Sequence, residues 1–180
     1  MTDLTDEEIA RRVKAGETQW FSLLVERYQM KLSRYARKFL FGVEDTEDLL
    51  QEVFVKAFTN IQSFDGKRRF SPWIYRIAHN EFVNALKKRR TEALPFFDLD
   101  TLFPHSEPEE GPREDLKPML EGALDRIDAK YREPLVLYYY EELEYKEIAE
   151  VLRIPISTVG VRIKRGREAL KKLVTTDDTQ

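Results

Sequence analysis

The sequence predicts an all-α protein built as two small helical domains joined by a flexible acidic linker. Three observations predict it. Apolar residues recur every three or four positions over residues 1–90 and again after residue 113. The segment between carries Pro95, Pro104, Pro108, Gly111 and Pro112, which forbid a long helix. No alternating strand pattern of any length and no Gly-rich phosphate loop occurs anywhere. The expected limits are 1–90 for the first domain, 91–113 for the linker, 114–174 for the second domain and 175–180 for a disordered tail.

In the first domain, Thr5-Asp6-Glu7-Glu8 has the spacing of a capping box. Phe21, Leu24, Tyr28, Leu32, Tyr35 and Phe39 then form one apolar stripe along a long helix, with Gly42 suited to its C-cap. A second stripe follows: Leu49, Leu50, Val53, Phe54, Ala57, Phe58 and Ile61, capped by Asp45 or Thr46. Residues 62–70 contain Asp65-Gly66 and read as a loop. Ser71 as N-cap and Pro72 at the first helical position start a helix that runs to about Arg90. Beyond the linker, Leu116, Leu120, Ala123, Leu124 and Ile127 mark one helix and Leu135 to Tyr140 another. Tyr145 to Leu152, a break at Arg153-Ile154-Pro155, and Ser157 to Leu173 then have the form of a helix-turn-helix.

Charge is divided along the chain in a way the overall value of −3 conceals. Residues 1–90 hold 17 Lys/Arg against 13 Asp/Glu, and residues 91–115 hold one Arg against eight acids. From Arg153 to Lys172 there are seven bases and only Glu168. Two basic patches separated by an acidic strip suit two nucleic-acid-contacting modules. No apolar run approaches the roughly 20 residues that cross a bilayer. The first residues lack the basic start and apolar core of a secretory signal, and cysteine is absent, which together favour the cytoplasm.

Three constellations are candidates for function. In the helix-turn-helix, Ala149 is small where the two helices cross, and Ile148, Leu152, Ile154 and Val159 flank the turn. Ser157 caps the second helix, and Thr158, Arg162, Lys164, Arg165 and Arg167 are offered outward; the bland alternative is a helical hairpin with a solvated basic face. On the helix after Ser71, Trp73, Arg76, Asn80, Asn84 and Lys87 share a face that mixes an aromatic, amides and bases, as unstacked bases require. The same pattern would arise with Trp73 in the core and the rest solvated. The exposed side of the Leu49–Ile61 helix, with Asp48, Gln51, Glu52 and Lys56, is on its own an ordinary solvated face.

Taken together these tracts resemble one family. Asp45-Thr46-Glu47-Asp48-Leu49-Leu50-Gln51-Glu52-Val53-Phe54-Val55-Lys56-Ala57-Phe58 is similar to sigma region 2.2. Phe64-Asp65-Gly66 and Ser71-Pro72-Trp73-Ile74-Tyr75-Arg76-Ile77-Ala78-His79-Asn80 resemble regions 2.3 and 2.4. Tyr131 to Leu135, Tyr145 to Leu152 and Thr158 to Leu170 resemble region 4. The order and extent are those of the extracytoplasmic-function (ECF) sigma factors of the sigma-70 family, which keep regions 2 and 4 only.

The resemblance implies a transcription initiation factor without catalytic activity or cofactor. Its partners would be core RNA polymerase, promoter DNA and an anti-sigma factor. Asp45, Asp48, Gln51, Glu52 and Lys56 would bind the coiled coil of the β′ clamp. Phe64, Lys67, Arg68, Trp73, Arg76, Asn80, Asn84 and Lys87 would melt and hold the −10 element. Ser157, Thr158, Gly160, Val161, Arg162, Lys164, Arg165 and Arg167 would read the −35 element, while the other side of region 4 grips the β flap. The acidic linker would thread toward the RNA exit path. Two departures stand out: Gly160-Val161, where relatives often carry a basic and a polar residue, and Arg153, which replaces the glycine common in the turn, where many such motifs need positive φ and strain an arginine.

Rival classes fit less of the chain. His79 and His105, the only histidines, have no partners spaced for a metal or for nucleophile activation. A polymerase-independent helix-turn-helix regulator would need a dimer interface for palindromic half-sites, yet no heptad repeat appears.

Overall fold

The computed structural model describes residues 4–39, 46–89 and 123–177. Every element among them is an α-helix or a single 3-10 turn, as the apolar spacing predicts. The chain divides into two compact units, Met1–Arg89 and Arg90–Gln180. The expected linker, residues 91–113, lies outside the described residues, as do Gly42 and Asp45.

In the first unit, α1 (Asp6–Lys14) starts at the predicted capping box. The Glu8 amide donates to Thr5 Oγ1 at 3.2 Å, and the Thr5 amide donates to Glu8 Oε2 at 2.8 Å. That amide bond is the largest influence holding the Glu8 carboxyl below the usual glutamate range. Ile9, Ala10 and Val13 face the core. Asp6 anchors α1 to α2 (Phe21–Phe39), accepting from Arg27 Nη1 at 2.6 Å and from Tyr28 Oη at 2.7 Å. Burial, reinforced by Asp6, pushes the Tyr28 phenol pKa far up, so it stays a donor.

Helix α3 (Thr46–Thr59) buries Leu50, Val53, Phe54 and Ala57, the predicted stripe, and Ile61 follows in a 3-10 turn. Helix α4 (Phe70–Arg89) begins one residue before the expected Ser71 cap. The reason is tertiary: the Phe70 amide donates to Glu7 Oε1 of α1 at 2.8 Å, so a distant carboxylate satisfies a free amide of the first turn. The core is an aromatic chain running Phe64–Phe70–Tyr28–Tyr75–Tyr35–Phe82, with ring centroids 5.3–6.5 Å apart. Such pairs contribute about 0.5–1.5 kcal/mol each beyond their buried area.

In the second unit, a 3-10 turn at Leu124–Arg126 leads to Ile127 in an extended conformation. The single helix expected through Leu116 to Ile127 is therefore not continuous. Leu116 and Leu120 lie outside the described residues, and the chain is redirected at Ile127. Arg132 Nη2 and Nε claim the Ile127 carbonyl at 2.8 and 3.2 Å, and Asp128 caps a new helix by accepting from the Lys130 amide. That helix, α5 (Ala129–Tyr139), is followed by α6 (Tyr145–Leu152) and α7 (Ile156–Asp177). Helix α7 includes the first residues of the expected tail. It crosses α5 at Gly166, where a Cβ would come within 2.7 Å of Leu135 Cδ1. A close approach of α5 and α7 thus falls at Gly166, while Ala149, expected where α6 and α7 cross, is partly buried.

Candidate nucleic-acid interface

One surface lies on α3. Asp48, Gln51, Glu52, Val55 and Lys56 line a shallow open groove of about 410 Å³. Their spacing places them on the side opposite Leu50, Val53, Phe54 and Ala57. Asp48, Gln51 and Glu52 point to solvent, and Val55 is 61% exposed between them. Lys56 is engaged: its Nζ donates to Glu81 Oε2 on α4, and Glu81 is buried. Asp45, expected in this group, falls outside the described residues.

A second surface comprises the loop before α4 and the outer side of that helix. Arg76, Asn84 and Lys87 are exposed, Asn80 is partly so, and Lys67 and Arg68 project from the loop. Trp73 is neither in the core nor free: its ring is held against Phe64 at 5.5 Å and Phe70 at 5.4 Å, with the remainder open. Phe64 corrects an expectation. It is 1% exposed, an interior member of the aromatic chain, so it supports Trp73 and presents no ring of its own to a base. Asp65 shapes the turn, its Oδ1 accepting from the Lys67 amide at 3.0 Å and its carbonyl from the Arg68 amide at 2.9 Å.

The third surface is the α6–α7 pair. Arg153 adopts φ 55°, ψ 44°, the left-handed conformation expected for its position and strained for a side chain with Cβ. Helix α7 starts at Ile156, so Ser157 is its second residue and not its cap. Thr158 and Arg162, expected to project outward, are 1% and 8% exposed, and Gly160 is buried with them. A helix packed on two neighbours has a narrower free stripe than its polar residues suggest. Lys164 and Arg165 are exposed, and Ser157, Val161 and Arg167 are partly so. The outward stripe is therefore Ser157, Val161, Lys164 and Arg165, at helical steps.

No spacing in the sequence pointed to Glu7, Lys14, Glu81 or Gly166, because each acts on a residue far away in the chain. Among the described residues no helix is long and apolar enough to cross a membrane, and no group of His, Cys, Asp and Glu is placed to hold a metal.

Residues 24–92 match Sigma-70 region 2, and residues 118–170 match Sigma-70, region 4. Over 176 residues the chain is 35% identical to the ECF RNA polymerase sigma factor SigW of Bacillus subtilis, covering 90% of this chain and 92% of that protein. The chain belongs to the ECF sigma factors. Another ECF relative, the sigma-E factor of Escherichia coli, is 34% identical over 182 residues, 95% of each chain. Among solved structures, CnrH in complex with the cytosolic domain of CnrY is similar at a TM-score of 0.68 and 27% identity, covering 96% of this chain and 98% of that one. The sigma factor RpoE of Bartonella quintana, solved with the anti-sigma factor NepR, gives 0.66 and 26%, over 87% and 98%. In this ECF chain α2, α3 and α4 fall almost wholly within the region 2 match, α5 and α6 lie inside the region 4 match with most of α7, and α1 precedes both.

Proposed function

We propose that this protein is an alternative sigma factor that joins core RNA polymerase in the cytoplasm and directs initiation at specific promoters, catalysing nothing itself. The observation that carries this reading is the α3 groove. There Asp48, Gln51 and Glu52 are exposed opposite the buried stripe, in a tract that lies within the Sigma-70 region 2 match. Asp48, Gln51 and Glu52 contact the β′ clamp there, with Val55 supplying apolar area among them. The face of Trp73, Arg76, Asn80, Asn84 and Lys87, with Lys67 and Arg68, takes the melted −10 strand, stacking and phosphate contact being its chemistry. Ser157, Val161, Lys164 and Arg165 meet the −35 element, the two bases mainly at phosphates. The solved relative RpoE of Bartonella quintana, held by the anti-sigma factor NepR, supports an anti-sigma factor as a further partner of this chain.

The test is run-off transcription with purified core polymerase. Addition of the wild-type protein is expected to start RNA at a specific promoter. The double variant Gln51→Ala/Glu52→Ala should keep its melting temperature, within about 0.5 kcal/mol for surface changes, and lose core binding. Tight footprinting of a palindromic operator by the protein alone would overturn the reading in favour of a polymerase-independent regulator.

A further inference from the structure

Building on the sigma-factor reading, we infer that α1 is the positioning element of the promoter-melting loop, with Glu7 and Lys14 pinning that loop at its two ends. None of the polymerase or promoter surfaces above includes α1, which ends ten residues before the region 2 match begins at residue 24.

Glu7, Arg11 and Lys14 are spaced by four and three and so share one face of α1. That face meets the loop at three places. At the entry, Lys14 Nζ donates to the Phe64 carbonyl at 2.6 Å, and Gln62 Nε2 donates to the Lys14 carbonyl at 3.0 Å. In the middle, Gly66 passes so close to Arg11 that a Cβ there would lie 3.2 Å from Arg11 Cγ. At the exit, the Phe70 amide donates to Glu7 Oε1 at 2.8 Å. Residues 65–69 span the distance between the pins, and they carry the exposed Lys67, Arg68 and Arg69. Trp73 packs against Phe64 and Phe70, the two residues that are pinned.

These contacts are suited to positioning more than to holding the domain together. The α1 side chains bond to loop backbone atoms, so they set the path of the chain whatever side chains the loop bears. The docking of α1 itself is separate: Ile9, Ala10 and Val13 lie in the core, and Asp6 is held by Arg27 and Tyr28 of α2. Losing the Glu7 or Lys14 side chain therefore leaves α1 in place and releases the loop. Both pins are charge-assisted, the stronger kind of hydrogen bond.

The experiment uses the full chain with core polymerase and a promoter carrying 2-aminopurine in the −10 element. Lys14→Met and Glu7→Leu remove the pins. Lys14→Arg keeps a donor and Glu7→Gln keeps an acceptor. Core affinity, −35 preference and unwinding of a set of single-base −10 variants are measured for each, with hydrogen exchange of amides 62–70 in the free protein. We expect the two disruptive variants to bind core within about twofold of wild type and to keep their −35 preference. Discrimination at one or more −10 positions should fall about tenfold, equivalent to about 1.4 kcal/mol. The Phe70 amide should exchange faster, and the conservative variants should recover most of the discrimination. Unaltered −10 discrimination, or a loss equal at every −10 variant, would overturn the role of α1 alone. So would loss of core binding in both disruptive variants without recovery in the conservative ones, which would mark α1 as a support of the fold. A wild-type protein unable to unwind any promoter with core would instead overturn the sigma-factor reading itself.

Discussion

Gly166→Ala sets two effects of known size against each other. Alanine in place of glycine within a helix favours folding by about 1 kcal/mol. Against this, the new methyl would sit 2.7 Å from Leu135 Cδ1, 3.1 Å from Leu135 Cγ and 3.4 Å from Tyr131 Cβ. Relaxed carbon contacts lie at about 3.5–4.0 Å. Leu135 has no exposed surface and so no open space to turn into. Overpacking of this kind costs about 1–3 kcal/mol, so the net expectation is destabilisation of about 1 kcal/mol. For a domain of this size the melting point falls by about 4–8 °C. Thermal unfolding followed by far-UV circular dichroism measures that shift. Tryptophan fluorescence supplies an internal control, because Trp20 and Trp73 both belong to the Met1–Arg89 unit. Its transition should stay where it is in the wild type. Leu135→Val removes the clashing Cδ atoms, so the double variant should be more stable than the sum of the two single changes by about 1 kcal/mol. A rise in stability for Gly166→Ala, or strict additivity with Leu135→Val, would refute the close approach of α5 and α7.

Two further outcomes are expected. Arg153→Gly should stabilise the second unit by about 0.5–1 kcal/mol in a urea titration, because relief of the left-handed strain outweighs the extra freedom of glycine in the unfolded chain; destabilisation would show that the Arg153 side chain contributes more than its backbone costs. Lys56→Met should destabilise the first unit by about 1–3 kcal/mol, since it leaves the buried Glu81 carboxylate without its ammonium, and Lys56→Met/Glu81→Leu should regain most of the loss; equal stability of Lys56→Met and wild type would make the pair dispensable.

The helices were legible because each buries one stripe, and a stripe is a local periodic signal. Leu24, Tyr28, Leu32 and Tyr35 announce α2, and Leu50, Val53, Phe54 and Ala57 announce α3, before any contact is known. Arg153 was legible through the resemblance: it stands where relatives carry the turn glycine, a position of positive φ in many such motifs. What the sequence concealed depends on partners far along the chain. The start of α4 moved because Glu7, 63 residues earlier, accepts from Phe70. Lys56 looks like one more solvated base until Glu81 is seen beneath it. Tyr75 is fully buried, since Tyr28 and Tyr35 of α2 pack against its ring. Phe64 sits in a loop, where no period distinguishes inward from outward. Thr158 and Arg162 misled by polarity: helix α7 buries more than one side, and a polar residue on a second packed side reads in sequence like an exposed one.

Helix α7 is also a lever. It runs unbroken for 22 residues, about 33 Å at 1.5 Å per residue, and its fulcrum against α5 is Gly166. Ser157, at the end proposed to face the −35 element, lies about 13 Å along the shaft from that fulcrum. A tilt of about 5° at the pivot sweeps the far end through about 1 Å, more than the whole range over which a hydrogen bond keeps its strength. Small changes in what Leu135 and Tyr131 allow at the pivot are thereby multiplied at the tip. Divergence in promoter preference can then begin at buried α5 positions that never approach a base pair.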